Sequence, residues 1–162
     1  MNQNFRDIRN ILSKLSTRKV INGIKLITGF YFSRFTKKDL QWGLPISISV
    51  EPTTSCNLRC PECPSGLRSF TRPTGMMSGD TFKKIIDEQH KNLLYLILYF
   101  QGEPYLNKDF FDLVAYARQK KIYSATSTNG HYLNDEIARK TVESGLDRLI
   151  ISIDGRKGLK YF

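Results

Sequence analysis

Residues 45–155 alternate between short runs typical of β-strands and longer runs with the apolar spacing of helices. The strand patterns are PISISVEPT, with a strand ending near Glu51, then YLILYF, IYSATSTNG with its turn, and RLIISIDG. Helical patterns lie between them at Ser78 to Leu94, Asp109 to Lys121 and Asn134 to Gly145. Strands joined by helical crossovers form a parallel sheet with right-handed connections, so the sequence predicts an α/β fold, either a doubly wound sheet or part of a TIM-like barrel.

Each predicted strand is followed by a polar or ligand-bearing motif. The cysteine loop CNLRCPEC comes after the first strand, QGEP after the second, STNG after the third and SIDG after the fourth. The carboxyl ends of parallel strands meet at one edge of the sheet, which is where α/β proteins build their binding sites. We therefore expect the four motifs to form one composite pocket.

The three cysteines, Cys56, Cys60 and Cys63, all lie in that loop with the spacing C-x3-C-x2-C. A closed structural zinc site needs four Cys or His ligands, and the two histidines, His90 and His131, have no ligand-like spacing to the cysteines. Three thiolates on one loop instead suit a cubane 4Fe-4S cluster that keeps its fourth iron open to an outside ligand. The loop therefore predicts an iron-sulfur site with an open coordination position.

Taken together, the four motifs resemble the core of the radical S-adenosylmethionine (radical SAM) enzymes. C-x3-C-x2-C, Gly-Glu-Pro, Thr-Asn-Gly and Ser-Ile-Asp-Gly follow the first to fourth strands in the family's order, and the resemblance runs from about Pro45 to Gly155. The likeness is greatest to the SPASM-type branch, which often carries a C-terminal domain with additional clusters. It implies a partial TIM-like (βα)6 barrel, of which this chain contains about the first four parallel strands.

The resemblance also implies roles for residues of the four motifs. Cys56, Cys60 and Cys63 would ligate the 4Fe-4S cluster, whose free iron takes the methionine amino and carboxylate groups of S-adenosylmethionine. Glu103 would bind the methionine ammonium by a charge-assisted hydrogen bond. The implied cofactor-binding residues are Gly102, Glu103, Pro104, Thr128, Asn129, Ser152 and Asp154. The resemblance assigns no residue of the chain to the substrate.

The chemistry implied by the resemblance is radical initiation. A reductant of the flavodoxin or ferredoxin type reduces the cluster, one electron passes to the sulfonium, and the resulting 5′-deoxyadenosyl radical abstracts a hydrogen atom from the substrate. A peptide or protein is one candidate substrate. Sugars, lipids and small molecules stay open, because substrate choice in this family depends on later strands and on the C-terminal extension.

Three departures from the family pattern bear on these expectations. Gln101 stands where the family's GGEP element has its first glycine, and Glu62 stands where relatives often carry an aromatic residue before the third cysteine. Neither replaces a predicted ligand. The family core usually has six βα units, whereas this chain ends seven residues past SIDG. We therefore expect a truncated or split family member that needs a second chain to complete the barrel, or an inactive remnant.

Two other classes of function stay open from the residues. The first is a binding module or remnant that keeps the cluster but does not cleave the cofactor. The second is a zinc-binding interaction domain that uses the cysteines and basic residues to engage nucleic acid. A nucleic-acid partner is not expected, because no basic sheet face with interleaved aromatic residues is evident. Seen alone, Glu103 would be interpreted as a solvated loop carboxylate and Asp154 as a turn residue.

Residues 1–44 form a basic arm ahead of the predicted core. Residues 1–38 carry nine Lys or Arg against one acid, Asp7, and so contribute +8 of the formal net charge of +10. The apolar residues with helical spacing in the arm are Val20, Ile24, Ile27 and Tyr31. This pattern predicts an amphipathic helix that lies on anionic lipid, binds an acidic peptide, or packs its apolar face on the domain. Its longest uncharged run, 26–33, is too short to span a bilayer.

Composition favours a single globular domain for residues 45–162. The chain has 162 residues, of which 40% are hydrophobic and 12% aromatic, enough for one ordinary core. Three cysteines within eight residues do not form the pattern of a secreted disulfide framework. We therefore expect a reducing, cytoplasmic location and no signal peptide.

Overall fold

The computed structural model describes residues 3–153, and its architecture is built on one four-stranded sheet. The strands are β1 (Ser47–Ser49), β2 (Tyr95–Ile97), β3 (Tyr123–Thr128) and β4 (Arg148–Ile151). Every neighbouring pair is parallel, and the spatial order β1-β2-β3-β4 follows the chain. A doubly wound sheet reverses its strand order at a switch point, whereas a barrel wall keeps the sequence order, so the sheet corresponds to part of a TIM-like barrel. The predicted α/β fold with four parallel strands is confirmed.

The described helices include the three crossovers that the sequence predicts. The helices are α1 (Gln3–Ser13), α2 (Thr17–Thr36), α3 (Pro64–Leu67), α4 (Gly79–Gln89), α5 (Phe110–Gln119) and α6 (Asp135–Ser144), and a 3-10 turn covers Pro104–Leu106. Ser78 caps α4, because its hydroxyl accepts a hydrogen bond from the Thr81 amide at 3.3 Å. Asn134 caps α6 in the same way, and Gly145 ends that helix at φ 81°. These caps explain why α4 and α6 begin where the sequence places them.

Two elements are shorter than the patterns that predict them. Helix α4 ends at Gln89 rather than near Leu94, because the chain turns there and brings the Leu94 amide to the Ile46 carbonyl at 2.9 Å, beside β1. Strand β2 ends at Ile97, and Phe100 is exposed. The strand pattern YLILYF extends as far as Phe100, so this prediction is wrong at its carboxyl end.

The core lies between the sheet and the helices α4 and α5. Phe82 and Ile86 of α4 are fully buried, as are Leu96 of β2, Leu98 just beyond it and Val114 of α5. Removing each such side chain from water contributes roughly 1.5–3 kcal/mol. This layer keeps the strands in register, and so it fixes the positions of the loops that follow them.

Helices α1 and α2 pack at the opposite end of the strands from the sequence motifs. Asp7 of α1 accepts a hydrogen bond at 2.9 Å from the hydroxyl of Tyr123, the first residue of β3. The side-chain amide of Asn22 in α2 makes two 2.8 Å hydrogen bonds with the backbone of Leu44, ahead of β1. The arm therefore covers the amino ends of the strands, and the motifs lie at their carboxyl ends.

The face of α2 that packs on the domain is polar rather than apolar. Its buried residues are Lys19, Asn22 and Gly29. The predicted apolar residues are 45–64% exposed: Val20, Ile24, Ile27 and Tyr31. The alternative in which they pack on the domain is therefore wrong, because the docking surface presents backbone carbonyls that Lys19 and Asn22 satisfy. Within residues 3–153 no helix is long and apolar enough to cross a membrane.

Candidate functional site

The loop after β1 carries the three cysteines at the carboxyl edge of the sheet. All three thiols are free; Cys56 and Cys63 are partly buried and Cys60 is exposed. The Cys63 amide donates to the Cys60 carbonyl at 3.2 Å, and Cys63 precedes the short helix α3 as its N-cap residue. A Cβ atom at Gly66 would lie 2.5 Å from the backbone of Cys60. Only glycine at this position therefore allows α3 to pack on the cysteine loop.

The donor set of the loop suits an iron-sulfur cluster, because soft thiolates are the ligands that such clusters take. Among residues 3–153, no three His, Cys, Asp or Glu side chains are gathered closely enough to hold one metal ion. The Cys56 sulfur accepts hydrogen bonds from the Leu58 amide at 3.4 Å and from the Asn129 side-chain amide at 3.9 Å. Because donors of this kind support a metal-bound thiolate, the residues present fit a 4Fe-4S cluster.

The environment of Cys56 keeps its thiol protonated near neutral pH. Burial raises the pKa of the Cys56 thiol above its ordinary value, and the hydrogen bond from the Leu58 amide opposes this rise. The Glu103 carboxylate and the other two cysteines raise the same pKa further. Binding of iron at this sulfur must therefore displace a proton.

The QGEP motif approaches the cysteine loop through its backbone. Gly102 has a φ of 77°, and a Cβ atom there would clash with the Thr53 carbonyl oxygen. The Glu103 amide donates to the Ser55 carbonyl at 2.8 Å. The backbone of Gly102 thus makes a close approach to the segment that leads into the cysteine loop.

Glu103 is 1% exposed, and its carboxylate is hydrogen-bonded to the end of β3. Oε1 accepts from the Thr128 hydroxyl at 2.8 Å, and Oε2 accepts from the Asn129 amide at 2.9 Å. The Tyr105 amide adds a third hydrogen bond to Oε1 at 3.3 Å. The interpretation of Glu103 as a solvated loop carboxylate is therefore wrong. A carboxylate accepts about four hydrogen bonds, and contacts within residues 3–153 use three of these positions.

Asn129 connects this carboxylate to the cysteine loop. Its side-chain amide donates to Asn57 Oδ1 at 2.8 Å as well as to the Cys56 sulfur at 3.9 Å. Its own Oδ1 accepts from the His131 amide at 3.0 Å, an Asx turn that reverses the chain after β3. The cysteine loop, QGEP and STNG therefore meet in one hydrogen-bonded cluster, as their positions after parallel strands predict.

Gln101 and Ser65 are neighbours of the cysteines that sequence reasoning missed. Gln101 Oε1 accepts from the Ser65 hydroxyl at 3.1 Å and from the Cys63 thiol at 3.5 Å. The Ser65 oxygen in turn accepts from the Gly102 amide at 3.0 Å. The one sequence signal for Gln101 is that it replaces the first glycine of the family's GGEP element. This replacement places a side chain at the carboxyl edge of the sheet. Asn57 carried no signal beyond its place next to Cys56.

The remaining predicted residues contribute less to the cluster. The Ser152 amide donates to the Thr128 carbonyl at 2.9 Å, and its exposed hydroxyl lies 3.1 Å from that of Ser127. Pro104 is buried and begins the 3-10 turn. Asp154 lies outside the described residues. The cofactor contacts implied for these residues stay predictions.

A groove of about 750 Å³ opens elsewhere, beside β1. Its walls include Val50, Met77, Ile85 and Phe100, and none of the residues implied in cluster or cofactor binding lines it. The candidate site is therefore defined by convergent polar groups and thiols, and not by this hollow.

The fold and the site together define the class of protein. A partial barrel of parallel strands carries three free thiols and a buried carboxylate network at its carboxyl edge, the arrangement expected of a barrel enzyme that binds its cofactors at the strand ends. Residues 50–157, about two thirds of the chain, match the family model of the Radical SAM superfamily. The chain therefore belongs to the radical SAM superfamily.

Curated relatives place the chain in a family of enzymes. An AdoMet-dependent heme synthase of Methanosarcina barkeri is 33% identical over 111 residues, which are 68% of this chain and 32% of that protein. The mycofactocin maturase MftC of Mycobacterium ulcerans is 35% identical over 111 residues, which are 68% of this chain and 30% of that protein. The chain thus spans about a third of the length of these curated relatives.

Solved structures share the fold. BtrN in complex with AdoMet and 2-DOIA matches with a TM-score of 0.59 and 25% identity, over 70% of this chain and 48% of that chain. SuiB of Streptococcus suis bound to S-adenosylmethionine matches with a TM-score of 0.54 and 18% identity, over 68% of this chain and 24% of that chain. Both of these proteins hold S-adenosylmethionine, and membership of the family implies this cofactor and a 4Fe-4S cluster.

Proposed function

We propose that this chain forms the cluster-binding and S-adenosylmethionine-binding part of a radical SAM enzyme of the SPASM-type branch. The observation that carries the proposal is the hydrogen-bonded cluster of Cys56, Glu103, Thr128 and Asn129. In it the ends of β2 and β3 meet the loop with the three free thiols. The mycofactocin maturase among the relatives supports the choice of branch.

Each residue of the cluster has a role in this proposal. Cys56, Cys60 and Cys63 hold the iron-sulfur cluster, which when bound supplies the electron that cleaves S-adenosylmethionine to methionine and a 5′-deoxyadenosyl radical. Asn129 donates to the Cys56 sulfur and so stabilises it as a thiolate. The Glu103 carboxylate binds the methionine ammonium by a charge-assisted hydrogen bond, while Thr128 and the Asn129 amide hold the carboxylate in place.

Other components complete the proposed enzyme. Further cofactor contacts come from Gly102, Pro104, Ser152 and Asp154. A flavodoxin or ferredoxin type protein supplies the electron. Because the chain spans about a third of its curated relatives, we assign the remaining barrel strands to further sequence of the same protein or to a second chain.

The proposed substrate is a peptide or protein. Its support is the resemblance to the SPASM-type branch and the maturase among the relatives. A porphyrin is the second candidate, because relatives of similar identity are named AdoMet-dependent heme synthase and Fe-coproporphyrin III synthase.

The test of the proposed function is cleavage of S-adenosylmethionine by the full chain. Protein reconstituted anaerobically with iron and sulfide and then reduced is expected to release 5′-deoxyadenosine, measured by mass spectrometry. Cys60→Ala is expected to abolish the product, whereas Glu62→Gln, at an exposed position of the same loop, is expected to keep it. A loaded cluster without product would contradict radical initiation by this chain, and failure to load iron would contradict the ligand assignment.

A further inference from the structure

An apolar stripe on α2 faces solvent instead of the domain. We define the α2 stripe as the residues that recur on this face at helical spacing and are 45–86% exposed: Val20, Ile24, Ile27, Tyr31 and Phe35. The opposite face is the polar one that docks on the domain through Lys19 and Asn22. Soluble proteins rarely leave a continuous apolar surface of this kind uncovered, so the α2 stripe marks an interaction surface.

Helix α1 repeats the pattern. Phe5, Ile8 and Leu12 follow one another at helical spacing, and each is more than half exposed. The arm thus presents apolar side chains to solvent from both of its helices, although each helix is anchored to the domain by polar contacts.

Positive charge surrounds the α2 stripe. At 100° per residue, Arg34 lies on one side of the stripe, and Arg18 and Lys25 lie on the other. Seven exposed cations of the arm form no ion pair among residues 3–153: Arg6, Arg9, Arg18, Lys25, Arg34, Lys37 and Lys38. The one acid in residues 1–38, Asp7, is bonded to Tyr123 and lies 3.8 Å from Arg148. The exposed charge of the arm is therefore almost wholly positive.

We propose that the arm docks on the surface of an anionic lipid bilayer, with the α2 stripe in the boundary between headgroups and acyl chains. An apolar stripe flanked by Lys and Arg matches the two layers of such a surface, hydrocarbon below and anionic headgroups above. A second copy of this chain does not match the α2 stripe, because its own cations would face the cations that flank the stripe and repel them. The arm covers the amino ends of the strands, whereas the cysteine loop lies at their carboxyl ends. Docking through the arm therefore does not involve the cysteine loop.

Sedimentation with vesicles measures this docking directly. The full chain is expected to sediment with vesicles of phosphatidylcholine and phosphatidylglycerol and to stay in the supernatant with vesicles of phosphatidylcholine alone. Added salt should weaken binding to the anionic vesicles. The single tryptophan of the chain, Trp42, packs against Gly29 on the docked face of α2, and so it lies away from the lipid in this arrangement.

Two sets of variants test separately how the apolar residues and the cations of α2 contribute to vesicle binding. Ile24→Asn combined with Ile27→Asn is expected to weaken binding to the anionic vesicles roughly tenfold or more, because it removes apolar area from the lipid. Lys25→Gln combined with Arg34→Gln is expected to weaken it roughly tenfold as well. The matched control is Val142→Asn, an exposed aliphatic position on α6, which is expected to leave binding unchanged. All of these positions are exposed, and circular dichroism checks that each variant folds.

Specific results would overturn the proposal. They are no sedimentation with anionic vesicles, equal binding to neutral vesicles, or equal binding by the stripe variant and the wild type. A dimer in analytical ultracentrifugation that the stripe variant dissociates, together with no vesicle binding, would assign the surface to a second copy instead. The experiment needs neither the iron-sulfur cluster nor S-adenosylmethionine.

Discussion

The Thr128 hydroxyl donates a 2.8 Å hydrogen bond to the Glu103 carboxylate. Thr128 is the last residue of β3, Glu103 follows β2 in the QGEP motif, and both side chains are buried. A carboxylate is stable in such a place only because hydrogen-bond donors replace the water that it loses. This bond and the one from the Asn129 amide therefore hold two strand ends in the positions on which the candidate site depends.

Glu103→Gln is expected to loosen these strand ends. The amide nitrogen of glutamine cannot accept a hydrogen bond, so one donor among Thr128, Asn129 and Tyr105 would lose its partner. The expected loss in the free energy of unfolding is on the order of 1–3 kcal/mol, measured by urea denaturation. Glu143→Gln, at an exposed position of α6, is the control and is expected to change little. Equal stability of both variants would show that the Glu103 hydrogen bonds do not support the fold.

Gly102→Ala is expected to destabilise the protein more than an ordinary glycine substitution. The position has a φ of 77°, a backbone conformation that is strained for alanine. The new Cβ atom would also clash with the Thr53 carbonyl oxygen. The matched variant is Gly23→Ala in α2, where a Cβ atom would meet nothing within 4 Å. We expect Gly23→Ala to raise the melting temperature, since alanine favours a helix by up to about 1 kcal/mol, and Gly102→Ala to lower it. A Gly102→Ala protein as stable as the wild type would disprove the close approach.

Gln101 is expected to tune the iron-sulfur cluster. Its Oε1 lies 3.5 Å from the Cys63 sulfur and accepts the thiol proton. Once that sulfur is a metal-bound thiolate, the side-chain amide must rotate so that its N–H donates to the sulfur. Hydrogen bonds to cluster sulfurs stabilise the reduced, more negative state and so raise the reduction potential. Gln101→Leu should therefore lower the potential, measured by redox titration followed by electron paramagnetic resonance. The control is Gln119→Leu, exposed at the end of α5; equal potentials in all three proteins would remove Gln101 from this role.

Stability is expected to rise with pH through the titration of Lys19. Its Nζ donates to the carbonyls of Lys14 and Lys121, and burial, with the charges of those two lysines, lowers the pKa of Lys19 from 10.5 to about 8. Between these two pH values the unfolded chain binds more protons than the folded one, so the cost of burying the charge disappears as the pH rises. Relative to Lys19→Met, the wild type should gain roughly 1–3 kcal/mol of unfolding free energy between pH 8 and 10.5.

This comparison cancels the other titrating groups. Burial and the hydrogen bond to Asp7 raise the pKa of Tyr123, which lowers stability above the ordinary tyrosine pKa, but wild type and variant share that effect. Chemical denaturation at several pH values gives the difference. If the difference in unfolding free energy between the wild type and Lys19→Met stays constant or falls from pH 8 to 10.5, the pKa of Lys19 is not lowered by burial.

The architecture of the site was predictable because it depends on local patterns. Helix caps such as Asn134 and Gly145 and the alternation of strand and helix predict parallel strands, and the carboxyl ends of parallel strands bring the motifs to one edge. The contacts of Gln101, Ser65 and Asn57 were not predictable in the same way. They depend on how two loops distant in sequence pack against each other, and neither periodicity nor spacing carries that information.

The arm shows the same limit. Helical spacing identified the apolar face of α2, yet spacing cannot tell what covers a face. Its polar face docks on the domain because Lys19 and Asn22 satisfy backbone carbonyls there, a requirement that appears only when the docking surface is known.

The central claim is that Cys56, Cys60 and Cys63 hold a 4Fe-4S cluster that is open to S-adenosylmethionine. Electron paramagnetic resonance of the reduced full chain, reconstituted anaerobically and recorded with and without S-adenosylmethionine, tests it most directly. The account predicts the spectrum of a reduced 4Fe-4S cluster that changes when S-adenosylmethionine is added and is missing in Cys60→Ala. A spectrum that S-adenosylmethionine leaves unchanged, or a folded protein that binds zinc and forms no iron-sulfur cluster, would contradict the account.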